Sequence, residues 1–411
     1  MSVRNFLSLN KKLIETLYYK CIKWKIIANI KNKQHIRIAF MMASEAMWKY
    51  DDLYKYLNND PRFIPFIVPS PFPNQSSNLM YEYDKIIKFC NEKNYNYILS
   101  LNNNGLPQIS AKEINADIVI YTQPYNRGQK EWRINKFWTN SLFIYTPYGT
   151  NIEKENRFYN SLLQNISYIQ FYPNIYISRL VNKHIFFKSK HIYTSGDDSF
   201  HKYQPHEINT DEWKQHKLSL KRIIWAPHHS IMKNDSLQYS TFLEYANFML
   251  EIAKKFIGKV QFIIKPHPLL LSKLHIIWGY EKTTKYFKQW EFGENTQIVW
   301  GKYDIIFRNS DGIIHDSSGF TSDYLFTGNP ALFIDNGMVE SHLNEYGRKC
   351  FNLHYKAHNK SDITNFITEV IINRIDPLKI KRDEFMAQLN NETKYNSIGE
   401  FMYETIKHTL S

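Results

Sequence analysis

Two runs in this chain carry groups suited to handling a phosphorylated substrate. In Ser310-Asp311-Gly312-Ile313-Ile314-His315-Asp316-Ser317-Ser318-Gly319, a short apolar strand stops at an acid, two serines and a glycine follow, and a helical pattern then begins. Such a turn gathers hydroxyls and free backbone N–H groups at one spot, and a helix N-terminus there favours an anionic group such as a diphosphate. Upstream, Phe262-Ile263-Ile264-Lys265-Pro266-His267-Pro268 is a second strand that ends in a cation and an imidazole. Its two prolines stiffen the turn, so His267 is presented rigidly and can donate to a phosphate oxygen or a departing nucleotide. The plainer alternatives are that His267 caps a helix and that Ser317 and Ser318 are ordinary N-caps.

Other residues extend this chemistry. Asp323 lies seven residues after Asp316, about two helical turns on, and is placed to reach a ribose hydroxyl or simply to face solvent. Trp225-Ala226-Pro227-His228-His229-Ser230 also follows an apolar strand. Adjacent histidines on a loop point in different directions, so at most one of His228 and His229 is expected to do chemistry, as a phosphate contact or an acid or base, and a purely structural role is the alternative. Imidazoles also bind zinc, but no His-Glu-x-x-His helix or Cys-x-x-Cys pair accompanies them, and no metal is expected. Nearer the N-terminus, Tyr145-Thr146-Pro147-Tyr148-Gly149-Thr150 and Gln123-Pro124-Tyr125 end strands and read as acceptor-side loops or as plain turns. Glu45, after the first strand, is a further candidate base by position alone.

The elements that must hold these residues alternate between short apolar runs and helical patterns. Strands are expected at Ile36–Met42, Phe63–Val68, Tyr97–Leu101, Ile118–Tyr121, Leu142–Thr146 and His191–Thr194. A second set is expected at Arg222–Ala226, Val260–Lys265, Ile298–Trp300, Gly312–His315 and Ala331–Asp335. Helices are expected near Trp48–Leu57, Gln238–Phe256 and Phe320–Phe326, and through most of the tail from Asp362 to Leu410. This alternation predicts an α/β protein with two doubly wound, Rossmann-like domains facing a cleft. The expected division is a basic helix over 1–34, an acceptor-side domain over 35–215, a nucleotide-donor domain over 216–390 and a C-terminal helix over 391–411 that can cross back to the first domain. Ser195-Gly196-Asp197-Asp198 and the polar stretch to Lys221 read as the linker.

The chain has 411 residues, 43% of them hydrophobic and 16% aromatic, which suits folded domains with sizeable cores rather than disorder. Its net charge of +13 calls for anionic partners. Much of that charge sits in residues 1–34, where eight basic residues oppose only Glu15 and apolar residues recur at helical spacing. A basic amphipathic helix of this kind can lie on an anionic membrane surface or pack on its own domain. The three scattered cysteines, Cys21, Cys90 and Cys350, suit a reducing compartment, and no apolar run approaches the roughly 20 residues of a spanning helix. A cytoplasmic protein, peripheral on the inner face of the cell membrane, is the expectation. Nucleic acid is not expected as a partner, because no binding motif accompanies the charge.

At these residues the chain resembles the CDP-glycerol glycerophosphotransferases, a family of teichoic-acid and capsule polymerases. The resemblance rests on Trp225-Ala226-Pro227, Lys265-Pro266-His267-Pro268, Asp316-Ser317-Ser318 with Asp323-Tyr324, and Asn329-Pro330-Ala331-Leu332-Phe333, and is strongest over residues 220–340. It implies a GT-B fold and transfer of a polyol phosphate from a CDP-activated donor to a hydroxyl of a polyol-phosphate or glycan acceptor, with release of CMP and no cofactor. On that pattern His267, Ser317 and Ser318 hold the donor phosphates and Asp323 sits near the ribose; Lys265, His229 and Asp316 are further donor-binding candidates of this chain, and His267, His228 and Tyr148 its catalytic candidates. Tyr148 stands where the family carries a histidine proposed as the base, and an unperturbed tyrosine, with a pKa near ~10, is a poor base. His228 and His229 also depart from the family's usual threonine. Two alternatives remain open: a GT-B glycosyltransferase acting on a nucleotide-sugar, and a non-catalytic subunit that binds a polyanion or membrane.

Overall fold

The computed structural model describes residues 3–72, 79–124, 128–154, 159–197, 203, 212–214, 220–235, 238–301, 303–391 and 397–411. Its contacts fall into two compact units. Unit 1 comprises Met1–Thr150, Glu155–Asp198 and Asn391–Ser411; unit 2 comprises Asn151–Lys154 and Ser199–Asn390.

Unit 1 is built on β1 (Ile36–Met42), β2 (Phe63–Pro69), β3 (Ile118–Tyr121), β4 (Leu142–Tyr145), β5 (Ile169–Tyr172) and β6 (Ile192–Thr194). They form one sheet in the order β2-β1-β3-β4-β5-β6, and every pair is parallel. The near-continuous apolar runs follow from this, since a parallel sheet is buried on both faces. The helix Ile398–Leu410 packs on the helix Asp51–Asn59 in the same unit. Gly399 permits the approach, because a Cβ there would come within 2.3 Å of the Asp52 Cβ, and the Tyr403 hydroxyl donates to Asp60 Oδ2 at 2.8 Å.

Unit 2 repeats the plan with β7 (Lys221–Ala226), β8 (Val260–Ile264), β9 (Thr296–Ile298), β10 (Gly312–His315), β11 (Ala331–Ile334) and β12 (Tyr355–Ala357), in the order β12-β11-β10-β7-β8-β9. The order reverses direction between β7 and β10, and beyond the carboxyl ends of those two strands lies the crevice where open α/β sheets bind ligands. A buried cluster supports the sheet. Trp225 of β7 stacks on Phe242, centroids 5.5 Å apart and planes within 9°, and its other neighbour Trp290 is centred 5.4 Å away.

Three expectations are corrected. Tyr97–Leu101 makes only isolated bridges, Ile67 with Tyr97 and Leu101 with Pro107. Its backbone is captured by side chains instead: the N–H groups of Asn96 and Ser100 donate to the hydroxyls of Tyr54 and Tyr83. Strands β5 and β12 were not foreseen, and the sheets are completed by them. The helix expected from Gln238 begins at Phe242, because the N–H groups of Tyr239 and Ser240 both donate to Ser230 Oγ. Most of the Ser195–Lys221 linker lies outside the described residues.

Trp225 is 1% exposed at the centre of the unit 2 core. Trp225→Ala should therefore cost about 3–5 kcal/mol of stability, read as a lower urea midpoint for unit 2.

Candidate functional site

The carboxyl ends of β7, β8 and β10 deliver the chemistry. Beyond β7, the chain turns through Pro227 into His228 and His229; beyond β8 it runs through Lys265 and Pro266 to His267; beyond β10 it reaches Asp316, Ser317 and Ser318. The three imidazoles cluster. Ring centroids lie 4.3 Å apart for His228–His229, 4.2 Å for His229–His267 and 5.5 Å for His228–His267.

Asp316 is 1% exposed and turned inward. Its Oδ1 accepts from the His228 N–H at 2.5 Å, and its Oδ2 accepts from the Thr241 N–H at 2.6 Å and the Thr241 hydroxyl at 3.0 Å. Burial pushes its pKa up to about 6, against the opposing pull of these donors. Asp316 thereby ties the histidine loop and the start of the helix Phe242–Lys255 to the end of β10.

Each imidazole has a fixed neighbour at Nδ1. For His228 these are the Ser230 hydroxyl at 2.9 Å and the Ser230 N–H at 3.3 Å. For His229 it is Lys273 Nζ at 3.0 Å, and Lys273 also pairs with Asp235. For His267 it is the Leu269 N–H at 3.1 Å, so His267 does cap the helix Pro268–Trp278, with Pro268 in its first turn. Burial, then the neighbouring His229, lowers both His228 and His267 to about 3; Lys273 adds to this at both, His228 and Lys265 add to it at His267, and Asp235 opposes it at His228. His229 is lowered as well, first by burial and then by Lys273.

Lys265 is 5% exposed, and its ammonium makes no hydrogen bond or ion pair among the described residues. Burial lowers its pKa. Its nearest aromatic is Tyr303, with Nζ 5.8 Å from the ring centre, and the Tyr303 hydroxyl donates to Asp323 Oδ2 at 3.2 Å. Asp323, the last residue of the helix Ser318–Asp323, is thus joined to the surroundings of Lys265. That helix is too short to supply a strong dipole. Ser317 occupies its N-cap position without a side-chain capping bond, whereas Ser318 Oγ donates to Glu153 Oε1 at 3.3 Å.

Among the sequence candidates, unit 2 brings together Lys265, His267, His228, His229, Asp316, Ser317, Ser318 and Asp323. Tyr148, Gln123 and Glu45 belong to unit 1. There the Tyr148 N–H donates to the Thr122 carbonyl at 3.0 Å, and Glu45 opens a single 3-10 turn after β1. Tyr125 lies outside the described residues. Sequence reading missed Lys273, Asp235, Thr241 and Glu153, which carry no motif. No group of His, Cys, Asp and Glu among the described residues could hold a metal ion.

No family model matches the chain, and no curated protein matches its sequence. Solved structures match its fold, and they define it as GT-B-like. The wall teichoic acid polymerase TagF aligns over 100% of this chain and 97% of its own, with 15% identity and a TM-score of 0.56. A variant of TagF soaked with CDPG gives 12% identity, 98% and 99% coverage and a TM-score of 0.58. A putative UDP-N-acetylglucosamine 2-epimerase from Listeria monocytogenes gives 12% identity, 91% and 96% coverage and 0.57. The fold is therefore common to a polymerase and to nucleotide-sugar enzymes.

A pH dependence follows from the buried imidazoles. His228, His267 and His315 all sit near 3 in the folded chain against an ordinary 6.5. Their neutral forms are favoured by folding, so their contribution is intact above about pH 6.5 and is lost as pH falls toward 3, at roughly 1.4 kcal/mol per unit for each. Asp316 acts with the opposite sign between about 6 and 4, because the folded carboxyl takes up its proton first. Three groups outweigh one. Thermal melts should show stability dropping steadily from pH 6.5 to 4, and His315→Asn should flatten that slope.

Proposed function

We propose that unit 2 binds the diphosphate of a nucleotide-activated donor, and that the protein moves a polyol phosphate from a CDP-activated donor to a hydroxyl of a growing cell-surface polymer. The observation that carries this reading is Lys265. A buried ammonium with no acidic partner is costly by several kcal/mol, and an anionic ligand beside it would supply the missing charge. Its position two residues before His267, at the crevice of a Rossmann-like sheet, suits a nucleotide diphosphate. The fold shared with TagF, solved after a CDPG soak, and with S. aureus MnaA, solved with UDP, supports the same ligand class.

In the proposed step the acceptor oxygen attacks the phosphorus that bears the polyol. The bond from that phosphorus to the CMP oxygen breaks, CMP leaves with the bonding pair on that oxygen, and the acceptor's proton is released to solvent. Lys265, His267 and Ser317 hold the phosphate oxygens, and Asp323 faces the ribose. His228, held near 3, is a poor base for the acceptor. A second reading, glycosyl transfer from a nucleotide-sugar, is favoured by the fold's equal likeness to a nucleotide-sugar enzyme and by Tyr148 in place of the family's histidine. Released CMP supports the first reading; a released nucleoside diphosphate supports the second. With CDP-glycerol and acceptor, Lys265→Met and His267→Ala should each lower nucleotide release about 10²-fold or more, and normal turnover in either would refute the donor site.

We further propose that the helix Val3–Lys31 docks on an anionic membrane. Thr16, Tyr19, Ile26, Ile27 and Ile30 bury one side of it in unit 1, with the Tyr19 hydroxyl donating to the Ser141 carbonyl at 3.0 Å. The other side leaves Leu7, Ile14, Leu17, Tyr18 and Trp24 exposed, among them Ile14 at 66% and Trp24 at 67%. Lys11, Lys25 and Lys31 lie exposed along the same helix, and each basic group near an anionic surface contributes about 1 kcal/mol. No helix among the described residues is long and apolar enough to cross a membrane. Leu17→Glu with Trp24→Glu should reduce co-sedimentation with phosphatidylserine vesicles about 10-fold or more. Undiminished sedimentation would remove this helix as the anchor.

A further inference from the structure

The bonding at Nδ1 decides what the three clustered imidazoles can do. Ser230 Oγ already accepts from the N–H groups of Tyr239 at 3.0 Å and Ser240 at 3.1 Å. A hydroxyl has two acceptor sites and one hydrogen, so with both acceptor sites filled its hydrogen points to His228 Nδ1, 2.9 Å away. The Ser230 N–H faces the same atom. Lys273 can only donate, so His229 Nδ1 must accept from its ammonium. His267 Nδ1 accepts from the Leu269 N–H. In all three rings Nδ1 is therefore an acceptor, and the ring proton resides on Nε2. No Nε2 of the three has a partner among the described residues.

We propose that His228, His229 and His267 form a fixed array of three neutral Nε2–H donors for one diphosphate anion, with Lys273 as the positioning residue that holds His229 in that tautomer. This rests on the nucleotide-diphosphate reading of the site and extends it to residues outside the Lys-Pro-His-Pro turn. The rings stand 4.2–5.5 Å apart, close enough for all three donors to reach oxygens of one diphosphate. The same bonding excludes two other uses. A metal ligand or general base at Nε2 needs a lone pair there, which in a neutral ring puts the proton on Nδ1. At Nδ1 that proton would meet the Ser230 hydroxyl, the Lys273 ammonium or the Leu269 N–H. Burial and mutual repulsion, which hold His228 and His267 near 3, keep the rings uncharged without ligand. Lys273 adds little free charge, since Asp235 neutralises it.

Nitrogen-15 NMR of the histidine-labelled full-length chain at pH 7 tests the array, each signal being assigned through its His→Asn variant. The expected result is the Nε2–H tautomer at all three positions, with inorganic pyrophosphate shifting all three and Zn²⁺ shifting none. An Nδ1–H tautomer or an imidazolium at any of them, or a zinc-induced shift, overturns the array. The double variant Lys273→Met, Asp235→Asn removes the ion pair while preserving net charge. It should weaken pyrophosphate binding about 10-fold or more and release His229 into mixed tautomers, and Lys273→Arg should retain both properties. Parental affinity and an unmixed His229 tautomer in the double variant would refute the role of Lys273. Because pyrophosphate and the NMR signals require no turnover, an intact array in a protein that releases no nucleotide from CDP-glycerol would refute the transferase reading alone.

Discussion

Unit 2 depends on one buried carboxylate. Asp316 directly follows β10, yet its oxygens hold the first residue of the histidine pair and the residue just before the helix Phe242–Lys255. The arrangement is costly, because a carboxylate out of water must recover its hydration through donors. Three donors meet it, two of them backbone N–H groups whose positions are set by the chain itself. Removing the carboxylate would leave those donors unpaired and free the loop that carries His228 and His229. A residue that first suggests ligand contact is thus better understood as the fastening between two strand ends at the point where the sheet order reverses.

Around that fastening, unit 2 uses polar groups in layers. The imidazoles are held by a serine, a lysine and a helix N–H, and those groups are held in turn by the Tyr239–Ser240 backbone, by Asp235 and by the first turn of the helix Pro268–Trp278. Lys265 stands apart because nothing within the described residues answers its charge. Saturated Nδ1 atoms beside an unanswered ammonium give the carboxyl ends of β7 and β8 a positive character.

Much of the fold was legible because parallel strands buried on both faces read as short apolar runs, and β1, β3 and β10 fall at the expected residues. The failures have local causes. β5 contains Gln170, a polar break in the pattern that the fold buries by bonding its amide to the Gln164 carbonyl and the Tyr172 hydroxyl. β12 has three residues, too few to show alternation. Tyr97–Leu101 has the composition of a strand, but tyrosine hydroxyls take its N–H groups. Within the site, His228, His267 and Asp316 stood out because they terminate strands. Lys273, Asp235 and Thr241 did not, since their importance comes from side-chain direction across 38 to 75 residues of separation. Glu153 reaches Ser318 across 165 residues, a pairing that no local pattern encodes.

The way the backbone is shared between the units bears on how the protein comes into being. The strands of unit 1 precede those of unit 2 in the chain, yet unit 1 also claims the helix Ile398–Leu410, seated through Gly399 and Tyr403 on the helix Asp51–Asn59. Unit 2 in turn borrows Asn151–Lys154 from the middle of unit 1, with Gly347 leaving room where a Cβ would lie 2.4 Å from the Ile152 carbonyl. Domains ordinarily fold in the order of their synthesis. Here the sheet of unit 1 stays partly uncovered until the helix Ile398–Leu410, about 200 residues beyond β6, has been made, so unit 1 cannot close before the strands of unit 2 exist.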